Sequence, residues 1–81
     1  MNADPDSLAR MDSLFAELIE HQRKKVVAEA RRRDPKLTDE DCEQPHDFPV
    51  LAEDPAWQYE DGLLAGFRAA HMAVRASLRR G

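Results

Sequence analysis

Residues 62–77 read GLLAGFRAAHMAVRAS. Apolar residues recur three and four apart along the stretch, the spacing of one helical face. Yet Gly62 and Gly66 sit inside it, and each glycine costs a helix interior about 1 kcal/mol relative to alanine. A helix over about 55–79 carries two faces. Trp57, Leu63, Leu64, Phe67, Val74 and Leu78 form a stripe of large apolar residues. Beside it runs a face of small ones, namely Gly62, Gly66, Ala69, Ala70, Ala73 and Ser77. Only a narrow strip with Asp61, Arg68 and Arg75 is clearly polar. A helix that is apolar nearly all round is buried on more than one side, and one neighbouring helix cannot cover both faces. Lacking Cβ atoms, Gly62 and Gly66 admit a second backbone at close range, as small-xxx-small patterns do in membranes. Close contact then offsets roughly 2 kcal/mol of lost propensity. Gly62, Gly66, Phe67, Ala69, Ala70, Ala73 and Val74 are therefore expected at a helix-packing and dimer interface.

Outward from this helix, three Asp-Pro pairs punctuate the chain. Asp4-Pro5 opens a first long helix, because Asp caps free N–H groups and Pro suits the first turn. Asp54-Pro55 repeats the device before the second. Asp34-Pro35 follows "EARRR", where Pro cannot continue a helix. The expected elements are a helix over about 5–33, a connection over about 34–54 and a helix over about 55–79. In the connection, Thr38 is placed to cap a short acidic turn in "LTDEDCEQ", ended by Pro45. "PHDFPVL" reads as extended, with Phe48, Val50 and Leu51 packing over the open end of the helix pair and Phe48 largely buried. Along the first helix Leu8, Met11, Leu14, Phe15, Leu18, Ile19 and Val26 form a single stripe, interrupted by Gln22. Both helices begin acidic and end basic, which suits their macrodipoles and antiparallel packing alike. The fold class expected is all-α: an antiparallel two-helix hairpin with a long, partly ordered connection, dimerising into a four-helix assembly.

Composition agrees with association. At 81 residues the chain is one domain at most, and a core this small is marginal without disulfides, metal or oligomerisation. The lone cysteine, Cys42, excludes an intrachain disulfide and fits a reducing compartment. A net charge of −4 with 35% charged residues argues against a chain-wide grip on nucleic acid. The start of the chain lacks a secretory pattern, and no apolar run approaches the roughly 20 residues that span a bilayer. A cytoplasmic location is expected.

Several residues invite a chemical reading. His71 falls in the large apolar stripe between Phe67 and Val74, and Glu60 lies on a similar bearing about three turns earlier. Helix-borne carboxylates and histidines facing a bundle interior can hold a metal, but the familiar pattern needs Glu-x-x-His, which neither helix contains. Glu17 and His21 sit four apart, near the edge of their stripe. A core-edge histidine hydrogen-bonded across an interface is the simpler expectation for His71. Cys42, His46 and Asp47 stand together in "CEQPHD", but structural zinc wants four ligands, and acidic surroundings do not favour a thiolate. The pairs Glu17/Glu20 and Glu60/Asp61 invite comparison with all-helical nucleotide pyrophosphatases, which hold Mg²⁺ on clustered carboxylates. The basic runs at 23–25 and 31–33 have no interleaved aromatic to stack bases. No cofactor, metal or catalytic residue is assigned. The expected role is an interaction or structural module whose partner is a second copy of itself, with another protein as the other partner class. The alternative is a small metal- or nucleotide-handling protein built on the same dimer.

Overall fold

A computed structural model describes residues 4–80. The chain forms α1 (Pro5–Arg33), two 3₁₀ turns (Asp41–Glu43 and Pro45–Asp47), a one-turn α2 (Pro49–Ala52) and α3 (Pro55–Arg80). Among the described residues there is no strand.

Helix ends follow from local chemistry. Pro5 opens α1 with Asp4 in an extended conformation, but the Asp4 side chain caps no backbone N–H. It accepts instead from the Ser7 hydroxyl at 3.4 Å. At the other end Asp34 is extended before Pro35, and its N–H reaches the Ala30 carbonyl. Asp54 does cap α3, its Oδ1 accepting from the Trp57 N–H at 2.8 Å. The Arg33 guanidinium grips the same carboxylate at 2.5 and 3.1 Å, so the last turn of α1 is tied to the first turn of α3.

Cross-contacts fix how the long helices lie. Asp12 meets His71, Gln22 meets Glu60, Val26 meets Trp57 and Arg33 meets Asp54. As one helix ascends the other descends, so α1 and α3 run in opposite directions along a body of 46 × 18 × 17 Å. The core is Val26, Ala30, Leu37, Cys42, Leu51, Trp57 and Leu64. Trp57 is fully buried, and its Nε1–H donates to the Val26 carbonyl at 3.1 Å. Burial of such a ring is among the largest single apolar contributions in a small protein. Every buried residue among those described lies between 22 and 64, so the core occupies the end of the rod nearest the connection.

The connection departs from its expected form. Thr38 and Asp41 cap one another, each side chain accepting from the other's N–H. "PHDFPVL" is not extended: Pro45 and Pro49 each start a short helical element, the use already made of Pro at helix starts. Leu51, not Phe48, closes the end of the pair. Leu51 is fully buried, Phe48 is only half-buried against the core, and Val50 is exposed.

Gly62 and Gly66 stand clear of the rest of the chain. A Cβ added at Gly62 or Gly66 meets nothing within 4 Å, so no second backbone of the same chain presses on either. Gly62, Gly66, Ala69, Ala70 and Ala73 are all exposed, whereas Phe67 and Val74 are half-buried. At about 100° per residue the small-residue face lies nearly opposite the stripe that meets α1, rather than beside it.

Candidate interaction face

The polar residues singled out above are dispersed rather than gathered. Glu60 is engaged by Gln22, a buried side chain whose Nε2 donates to the Glu60 Oε1 at 2.8 Å and to its carbonyl at 2.9 Å. His71 sits farther along, with its Nε2 2.7 Å from the Asp12 Oδ1. Its ring stacks on Phe15 at 6.0 Å, and the Arg75 Nε approaches the same Asp12 oxygen at 3.5 Å. His71 is thus a half-buried link between α1 and α3. Cys42 points into the core while His46 is exposed beside Asp47. Burial pushes the Cys42 thiol up, and Asp39, Asp41, Asp61 and Glu43 push it further, so the thiolate is disfavoured. Glu17 and His21 are exposed. Glu20 pairs with Arg23, whose hydrogen bond holds the carboxyl below its usual range. Among the described residues no group of three or more His, Cys, Asp or Glu is placed to hold a metal ion.

Between the connection and the two long helices lies a cavity of about 370 Å³. Its charged lining mixes Arg23 and Arg68 with Asp39, Glu40, Glu43 and Asp61. Arg23 is already bound to Glu20 and Asp39, and burial pushes the Asp61 carboxyl up against the opposing pull of Arg68. The "RRR" run is used internally as well: Arg31 donates to the Pro35 carbonyl, Arg32 pairs with Glu29, and Arg33 with Glu29 and Asp54.

Part of the uncovered surface is apolar. The single stripe expected on α1 is split in two. Leu8, Phe15, Ile19 and Val26 are half or fully buried, whereas Met11, Leu14 and Leu18 are 41%, 57% and 45% exposed. The exposed row stands about a quarter-turn around α1 from the buried one. On α3, Leu63, Ala70 and Val74 stand about a quarter-turn from Trp57, Leu64 and His71. Because the helices are antiparallel, those two quarter-turns open onto the same side of the rod. The cavity confirms the assignment from the other side, for it is walled by Arg23 and Val27 of α1 and by Asp61, Ala65 and Arg68 of α3, the opposite flank of each helix. The connection therefore covers one side of the pair and leaves the other bare. That bare side continues around α3 into Gly66 and Ala73, and this half of α3 bears no charge between residues 56 and 78. The width of the α1 stripe was the available signal, since Leu8 and Leu14 stand too far apart on the wheel to face one neighbour.

Among the described residues no helix is long and apolar enough to cross a membrane. Compared with protein-family models, with curated proteins and with solved structures, the chain matches none.

Proposed function

We propose that this chain is a helical hairpin that self-associates, two copies forming a four-helix assembly, and that it acts as an interaction or structural module. The observation that carries the reading is the bare apolar side, with Met11, Leu14 and Leu18 on α1 beside the uncharged half of α3. Contiguous apolar surface of this kind on a small soluble chain marks a contact site. Its placement supports the same view. The row lies in the half of the rod that has no buried residue of its own, where a second copy supplies the missing core. Full overlap of two such sides also fits in size, since a whole face of a 46 × 18 Å body is on the order of 800 Å², about what each partner gives to a standard interface, with the apolar row in one half of it and a charged rim in the other. The buried Cys42 thiol suits a reducing compartment such as the cytoplasm. A metal- or nucleotide-handling role has no comparable support, because Glu60 and His71 are separately engaged by Gln22 and Asp12.

Light scattering across the micromolar range tests the reading, with a mass of two chains expected. Leu14→Glu combined with Leu18→Glu is expected to give a monomer of unchanged helicity, since both side chains already face solvent within one chain. A parent that stays monomeric throughout the range refutes self-association.

A further inference from the structure

We infer that each α1 lies antiparallel over the partner's α3 about a two-fold axis parallel to the helices, so that the Met11, Leu14 and Leu18 row lies over the partner's Ala70, with the partner's Gly66 and the partner's Ala73 along the outer edge of the contact. This rests on the self-association proposed above and adds the surface that receives the row. Two geometries bring the bare sides of two hairpins face to face with full overlap, and they differ in what meets the row. An axis parallel to the helices keeps every residue at its own height and sets α1 over the partner's α3. An axis across the helices turns one rod end for end and sets α1 over the partner's α1.

Height is read from the contacts within one chain. Asp12 is level with His71, and Val26 with Trp57, so Met11, Leu14 and Leu18 are level with residues near 72, 69 and 65. At those heights the bare flank of α3 carries the exposed Ala70 between the half-buried Phe67 and Val74, and Gly66 and Ala73 stand at its outer edge, where a Cβ at Gly66 meets nothing within 4 Å. The three most exposed large residues of α1 thus stand at the height of the emptiest stretch of α3. Large against small is the arrangement that fills space between facing helices. In the end-for-end geometry Leu14 instead comes opposite Lys25 of the partner subunit, and the row is set against the charged half of α1. The row is confined to the first half of its helix, so only the parallel axis matches apolar to apolar along its length.

Disulfide trapping separates the geometries. Leu14→Cys and Ala70→Cys chains carrying different tags are mixed and mildly oxidised, with the parent as the control for the buried Cys42. The mixture is expected to yield a cross-linked dimer containing one chain of each kind, and neither variant is expected to link to itself. Leu14→Cys linking to itself, or a mixture that stays dimeric but unlinked, overturns the arrangement and leaves self-association standing. A monomeric parent removes both, and the bare side then belongs to a different partner. Where a cysteine variant fails to fold or to dimerise, exchange of size decides. Gly66→Leu is expected to weaken the dimer at least tenfold, and adding Leu14→Ala to the same chain is expected to restore much of that loss. A double variant as weak as Gly66→Leu alone overturns the register.

Discussion

In the proposed assembly Gly66 has consequences opposite to those it has in one chain. Alone, the protomer leaves open space where a methyl would stand, so Gly66→Ala gains up to about 1 kcal/mol of helix propensity. In the proposed assembly the same methyl would meet an incoming side chain, and overpacking costs about 1–3 kcal/mol. The expected outcome is a substitution whose sign depends on concentration: a higher melting temperature than the parent in dilute solution, and no gain where the parent is dimeric. Thermal melts at both ends of a dilution series check it. A uniform gain means that nothing packs on Gly66. Gln22 teaches a different lesson. As an interruption of an apolar stripe it is visible in the sequence, but its partner Glu60 depends on the relative height of two helices, which no local pattern encodes.

Among the elements, the starts at Pro5 and Pro55 and the stop before Pro35 were legible because proline acts through its own ring and missing N–H. Pro45 and Pro49 start short helical elements by the same chemistry, against the extended reading of "PHDFPVL". The sides of the long helices were legible only in part. Periodicity shows which residues share a face, but the connection decides which of two flanks is covered, and its path is set by Leu37, Cys42 and Leu51 entering one core. The start of α3 is open to a pH test. The Arg33 guanidinium, and after it the Trp57 N–H, hold the Asp54 carboxyl below its usual range. A carboxyl depressed on folding stabilises the fold above its unfolded value of about 4, and that contribution is lost as pH falls through the lower, folded value. Asp54→Asn is therefore expected to lower the melting temperature at neutral pH and to flatten its fall between about pH 5 and pH 2. Glu29 shares Arg33 and is depressed as well, so the variant's profile keeps some slope. A profile parallel to the parent's means that the Arg33–Asp54 contact contributes nothing.

For the whole molecule, the uneven placement of the core implies an uneven clock. All the buried residues described lie between 22 and 64, so the rod is held at one end and laid loosely together at the other. Opening free energies within one protein range from near zero to the global value, and the placement of the core predicts that here they are graded along the long axis. Backbone amides of residues 22–30 and 57–64 are expected to exchange with deuterium slowest, through global unfolding. Those of residues 6–14 and 70–80 are expected to exchange through fraying, several orders of magnitude faster in dilute solution. Asp12, which meets His71 and Arg75, is the outermost polar fastening between α1 and α3 among the described residues, and the gradient is expected to steepen there. Raising the protein concentration is expected to slow exchange at the far ends and to leave the connection end nearly unchanged. A profile that is level along both helices removes the gradient. Where it holds, the half of the rod that opens first is the half that carries Leu14 and Gly66, so the proposed assembly would coincide with the last step of folding.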